Sequence, residues 1–294
     1  MAPVTSQTLL TPPAGTYDPN DGHILVQAFD RDALPLAGQS VSLTGPETGT
    51  QTTTSDGCAF FPYLDPGTYT AAMSTSGHVD RQGNQPATRT VGVTAGQITR
   101  AQFDYDRAAT LSVGLVAPSG SVIPTGTYGI AMTVANSNLT VGYKSFQQSA
   151  TGSGTTRTIT PLFPYASGYQ VWAGDCADAD PQAHTGGSRG AVLASNQGAT
   201  TSGSATLDAV DVTVRFTTLL GLPVSNATIT ATHAAGTGCT SGSTLTTTTR
   251  TNASGQLRLA LSYGTWTIRA TGTTTPYTGR TGTATVTLDP LPAA

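Results

Sequence analysis

Ser55-Asp56-Gly57-Cys58-Ala59-Phe60-Phe61-Pro62-Tyr63-Leu64-Asp65-Pro66-Gly67-Thr68-Tyr69-Thr70 holds a turn, an alternating strand, a second turn and a return strand. Asp56-Gly57 opens the first strand. Ala59 and Phe61 then share one face, and Cys58 and Phe60 share the other. Pro66-Gly67 folds the chain back, the glycine supplying a backbone angle that other residues resist. Tyr69 anchors the return strand, its ring plugging the end of a small two-sheet core.

The stretch is echoed further on. Ser254-Gly255-Gln256-Leu257-Arg258-Leu259 is followed by Tyr263-Gly264-Thr265-Trp266, with Leu257 and Leu259 inward and Trp266 as the anchor. A weaker copy, Phe163-Pro164-Tyr165-Ala166-Ser167-Gly168-Tyr169, leads into Val171 and Ala173 on one face. From Gly67 to Gly168 is 101 residues and from Gly168 to Gly264 is 96, about the size of one sandwich domain. Upstream, Leu34-Pro35 and Leu222-Pro223 each open a strand, with Val41 and Leu43, or Ile229 and Ala231, inward. The sequence therefore predicts an all-β chain of three tandem Ig-like sandwiches. An extended leader covers 1–21, and the sandwiches cover 22–107, a divergent 108–210, and 211–294. The connections are short enough for a stiff array. The Gly/Ser/Ala-rich run 182–203 reads as a long surface loop.

Composition agrees. Of 294 residues only 10% are charged, with a net charge of -3, against about 25% in an ordinary globular chain. Lys144 is the only lysine and Glu47 the only glutamate. That excludes a basic nucleic-acid surface and a polybasic membrane patch. No run reaches the roughly 20 apolar residues of a membrane span, so no direct membrane insertion by this chain is expected. Met1-Ala2-Pro3 leads into a polar stretch without an apolar h-region, so an export signal is expected to have been removed or to sit elsewhere.

Leu-Pro-x-x-Gly before a strand, Asp-Gly-x-x-x-Phe-x-x-Leu and Pro-Gly-Thr-Tyr together resemble the prealbumin-like family of small β-sandwiches. That family includes carboxypeptidase regulatory-like domains and the Cna B-type repeats of bacterial surface proteins. The order of Ser55 to Phe61 with Val79-Asp80-Arg81-Gln82-Gly83 is similar to surface or pilin-like proteins of high-GC Gram-positive bacteria. The resemblance implies an extracellular or cell-surface location. The implied partners are other surface or pilus subunits, or a host or surface ligand. Cna B-type domains often carry a Lys–Asn or Lys–Asp isopeptide bond. The first and third sandwiches hold no lysine, and Lys144 reads as a solvated strand residue.

No catalytic constellation emerges. Gly186-Gly187-Ser188-Arg189-Gly190 reads formally as GxSxG, but it lies in a glycine-rich stretch of a β protein rather than on a strand-turn-helix elbow. His23, His78, His184 and His233 show no metal-ligand spacing, and His78 reads as a loop residue. Asp175, Asp178 and Asp180 form the one acidic cluster. It could offer oxygens to calcium, yet turn capping accounts for it more simply. No cofactor and no metal are expected. Phe60 falls on the outer face of the first sandwich, beside Pro62-Tyr63, with Tyr165 and Trp172 as counterparts. Either they pack domains together, which the short linker favours, or they form a ligand patch.

The three cysteines are Cys58, Cys176 and Cys239. From Pro35 to Gly57 is 22 residues and from Pro223 to Gly255 is 32, which places Cys239 on an inserted loop. Cys176 follows a strand end, whereas Cys58 lies within a strand. A Cys176–Cys239 disulfide is therefore expected; the alternatives are Cys58–Cys176 and three free thiols. Altogether the sequence points to a non-enzymatic structural or adhesive surface protein. A carbohydrate-binding or accessory module of a secreted enzyme is the alternative.

Overall fold

The structure is a computed structural model that describes residues 18, 20–123, 128–135, 155–174, 191–207, 209–233, 244–261 and 264–288. Apart from one 3₁₀ turn, Pro118–Gly120, its regular structure is all strand. The chain divides into two compact units, Met1–Arg107 and Ala108–Ala294.

The first unit holds β1 (Gly22–Phe29), β2 (Ser40–Thr44), β3 (Gly49–Thr52), β4 (Cys58–Leu64), β5 (Gly67–Met73), β6 (His78–Asp80), β7 (Ala87–Val93) and β8 (Ile98–Arg107). Two four-stranded sheets, β4-β1-β8-β6 and β3-β2-β5-β7, enclose one core. Alternation dictates what fills it. Ile24, Val26 and Ala28 of β1, Val41 and Leu43 of β2 and Ala59 and Phe61 of β4 all point inward, as does Tyr69. β1 runs antiparallel to β4 and parallel to β8.

The second unit carries two further sheet pairs. One is built from β9 (Ala109–Val116), β10 (Gly129–Val134), β11 (Thr156–Leu162), β12 (Tyr169–Gly174), β13 (Ala191–Leu193) and β14 (Thr200–Thr206), ordered β11-β9-β14 and β10-β12-β13. The other uses β15 (Val210–Arg215), β16 (Thr228–His233), β17 (Thr244–Arg250), β18 (Gln256–Leu261), β19 (Gly264–Thr271) and β20 (Thr281–Leu288), ordered β15-β18 and β17-β16-β19-β20.

Three expectations are corrected. The run 182–203 is not all loop, because β13 lies inside it and β14 begins in it at Thr200, and β14 pairs in parallel with β9. Gly203 packs close under Leu193: a Cβ there would lie 2.3 Å from Leu193 Cδ2. His78 opens β6 rather than a loop, and its ring stacks on Tyr105 at 5.4 Å. Gly67 is not in the left-handed region. It is needed for close approach, since a Cβ there would meet Pro46 Cγ at 2.7 Å. Gly57 and Gly255, which open the strands, are both at φ +72°, and the counterparts of Gly67 in the other copies, Gly168 and Gly264, do take positive φ, at +73° and +120°.

Candidate interaction surfaces

The outer face of β1 and β4 gathers an aromatic cluster. β1 presents His23 and β4 presents Phe60 and Tyr63, all half-buried. The His23 ring lies 5.6 Å from Phe60, tilted, and 5.6 Å from Tyr63, edge-on. The Tyr63 backbone N–H donates to His23 Nδ1 at 3.1 Å, so that nitrogen is held as an acceptor. Tyr63 sits at φ +53°, a region sparsely used by non-glycine residues, at the point where β4 pairing to β1 shifts register. Phe60 thus stands where the alternation puts it, whereas Tyr63, which alternation would turn inward with Phe61, is brought out by the register shift. His23, which sequence spacing left isolated, holds the two together.

Tyr165 does not belong to a matching surface patch. It is buried, edge-on to Phe163 at 4.9 Å and to Tyr169 at 5.7 Å. The segment between β11 and β12 turns inward, so the aromatic that looked exposed is core. The Tyr169 hydroxyl donates to the Phe163 carbonyl at 2.6 Å. Burial, with Tyr165 adding to it, pushes the Tyr169 phenol far above its ordinary pKa. Trp172, on the outer side of β12, is half-buried.

Inside the second unit the two sheet pairs meet along a seam. The Val122 N–H donates to the Arg258 carbonyl and the Ala260 N–H donates to the Val122 carbonyl, both at 2.9 Å, so one residue adds a bridge to the outer edge of β18. The Tyr128 hydroxyl donates to the Ala260 carbonyl at 2.6 Å, while buried Arg157 Nε donates to the Tyr128 carbonyl at 2.8 Å. Burial lowers the Arg157 pKa. Ser121 Oγ donates to Asp211 at 2.6 Å, and Asp211 also pairs with Arg258. The sequence reading missed this seam. Its one trace is Ala260, an apolar residue between inward-facing Leu259 and Leu261 that breaks the alternation.

A second motif went unread although it repeats. Thr53 and Thr251 are buried, each four residues before the left-handed glycine. Thr53 Oγ1 donates to the Leu36 carbonyl at 2.6 Å and accepts from the Gln39 N–H at 2.9 Å. Thr251 Oγ1 donates to the Val224 carbonyl at 2.8 Å and accepts from the Ala227 N–H at 2.9 Å. Aligning the two copies would have exposed this shared latch.

Cys58 is half-buried at the start of β4, on the face opposite Ala59 and Phe61. Cys176, Cys239, the Asp175, Asp178 and Asp180 cluster, Lys144, His184 and Ser188 lie outside the described residues. Among the described residues no three His, Cys, Asp or Glu side chains gather as a metal set, and no helix is long and apolar enough to cross a membrane.

These sheets define an all-β protein whose first unit is a two-sheet sandwich. No family model and no curated protein matches the chain. Solved structures do match it. The Bacillus anthracis TIE protein is 13% identical with a TM-score of 0.29; the match covers 92% of this chain and 48% of that one. The chain thus spans about half the length of that relative. The minor pilin GBS52 of Streptococcus agalactiae is 12% identical with a TM-score of 0.28, over 63% of this chain and 95% of that one. BcpA, the major pilin subunit of Bacillus cereus, is 11% identical with a TM-score of 0.28, over 91% and 95%. At these identities and scores the likenesses carry no argument, and the fold assignment rests on the sheets.

Proposed function

We propose that this chain is a non-enzymatic structural subunit of the cell exterior, a stalk or pilus-like component built of three tandem sandwiches. The observation that supports it most is the repeated construction. The same latch and left-handed glycine hold a strand pair together near both ends of the described chain. Such a module supplies rigidity rather than a pocket, and a low-charge Thr/Gly-rich surface suits an exposed rod. A Cys176–Cys239 disulfide between the second and third sandwiches belongs to the same reading. Non-reducing peptide mapping of the exported protein tests it; a linked peptide containing Cys58 overturns the pairing. Immunogold labelling of intact cells tests location, and signal confined to the cytosol overturns the proposal.

One observation favours the alternative of a carbohydrate-binding or accessory module, namely the His23–Phe60–Tyr63 cluster. Retention on immobilised glycans that is lost in Phe60→Ala supports that reading; no retention on any glycan removes it.

A further inference from the structure

In the first two sheet pairs the opening strand and the closing strand lie side by side and run the same way. β8 runs along β1 from His23↔Ile98 to Phe29↔Asp104, and β14 runs along β9 from Thr200↔Thr110 to Thr206↔Val116. Each ladder begins on the same bond, the His23 N–H donating to the Gln97 carbonyl at 2.9 Å and the Thr110 N–H to the Ala199 carbonyl at 3.0 Å. The second ladder runs one residue further, the Leu207 N–H donating to the Val116 carbonyl at 2.8 Å. In both, the opening strand is also held on its other side, β1 by antiparallel β4 and β9 by antiparallel β11.

Parallel pairing sets how tension acts on such a ladder. The backbone enters the first one at Gly22 and leaves it at Arg107, at opposite ends of two strands running the same way. A pull on the backbone beyond those points drives β1 and β8 past each other along their own axis. The evenly spaced bonds of a parallel ladder then take the load together. Antiparallel neighbours would place entry and exit at one end, and their bonds would open one at a time. Ala108 alone separates β8 from β9 in the chain, so the same tension continues into Ala109 and through the second ladder to Leu207. One side of each ladder is also shielded from water. Ile24, Val26 and Ala28 run beside Ala101 and Phe103 in the first, and Leu111, Val113 and Leu115 run beside Ala205 in the second, all of them buried. From that side water cannot replace a loaded bond.

We infer that the two parallel ladders are mechanical clamps, and that this chain holds its length under tension applied along its backbone from Gly22 to Leu207. The inference deepens the structural-subunit reading by giving it a load path, and it rests on that reading. The two clamps differ in grip. β8 turns Ala101, Phe103 and Tyr105 into the first core, and its far end is fastened. The Tyr105 hydroxyl donates to the Thr75 carbonyl at 3.1 Å, the Tyr105 ring stacks on His78, and Asp106 Oδ2 accepts from the Arg31 N–H at 3.1 Å. On the corresponding side β14 carries Thr201, Gly203 and Ala205. Sliding β8 drags two large rings through a packed core, whereas sliding β14 moves only small groups. The second clamp therefore yields before the first.

Single-molecule pulling of the whole chain tests it. One geometry holds the chain by its two ends. The other holds its N-terminal end and an attachment point placed at Ala95, an exposed residue just before β8, so that the load opens the first ladder from one end. End-to-end pulling should show a step that releases about 280–310 Å of chain, the reach of residues 22–107. Its force should be at least about threefold that of the second geometry, because the load is shared along the ladder. Equal forces in the two geometries overturn the inference. Phe103→Leu keeps an apolar core and should lower the force of that step alone. A force unchanged by Phe103→Leu, or a first ladder that yields before the second, overturns the grip assigned to β8. Easy extension of a chain that immunogold places on the cell surface overturns the clamps and leaves the structural reading standing. A resistant chain confined to the cytosol supports the clamps and overturns the structural reading.

Discussion

The first and third sheet pairs share one sequence motif and differ in how they are finished. Gly57 and Gly255 occupy the same niche: a Cβ would lie 2.5 Å from the carbonyl oxygen of Ala28 in one and of Phe216 in the other. Tyr69 and Trp266 occupy the same anchor site, and both are fully buried. β1, however, lies between two strands, whereas β15 has one partner among the described residues. Where the first pair has Ala28 and Ala87, the third has Phe216 and Gly282, and the Phe216 ring packs against Gly282, where a Cβ would be 3.0 Å away. A larger side chain thus takes up part of the space that the inward residues of β8 fill in the first pair. The comparison teaches that the motif specifies a half-sandwich around the two turns, while closure is decided by a separate strand.

The largest test of that equivalence is removal of the anchors. Tyr69→Ala and Trp266→Ala should each destabilise their own sheet pair by about 3–5 kcal/mol, read from urea unfolding. A loss below about 1 kcal/mol in either would break the pairing of the two sites. Next come the latches. Thr53→Val and Thr251→Val keep the shape but leave a buried carbonyl and N–H without the hydroxyl, for an expected loss of about 1–3 kcal/mol each. Similar values in the two copies sharpen the comparison, and a neutral Thr251→Val would show that the latch matters only in a closed sandwich.

Hydrogen exchange reads the difference between the two pairs rather than their likeness. The β15 amides that do not bond to β18 should exchange at least about tenfold faster than their counterparts in β1. Equal protection would mean that the edge is covered after all. The smallest effect belongs to Arg258→Ala. Its side chain is half-exposed where it pairs with Asp211, so solvent screens the pair and stability should change by less than about 1 kcal/mol and less still in high salt.

Much of the first unit was legible in the sequence. Ala59, Phe61, Val41, Leu43 and Tyr69 were placed inward by alternation alone, and all five are core. Ile229, Ala231, Leu257, Leu259 and Trp266 followed by repetition and are likewise buried. The aromatics fared unevenly. Phe60 lies on the outer face that alternation gives it, and Tyr63 joins it only through the register shift in β4, while Tyr165 is buried because it sits in a turn, where alternation no longer reports a face. The first four residues of β14 fall in the Gly/Ser/Ala-rich run 182–203, where composition alone points to loop, yet they pair with β9 through backbone groups that composition does not report.

By itself, then, the sequence determined the strands around the turns, their inward faces and the repetition of the unit, because a period of two and a left-handed glycine are local properties. Tertiary structure alone decided which strand lies beside which. It set β8 and β14 parallel to the opening strands, gathered His23 with Phe60 and Tyr63, laid Val122 against β18, and left β15 with a single partner among the described residues. The physical reason is that strands are joined sideways by backbone N–H and C=O groups. Nearly every residue carries those groups, so the pairing leaves almost no trace in side-chain identity.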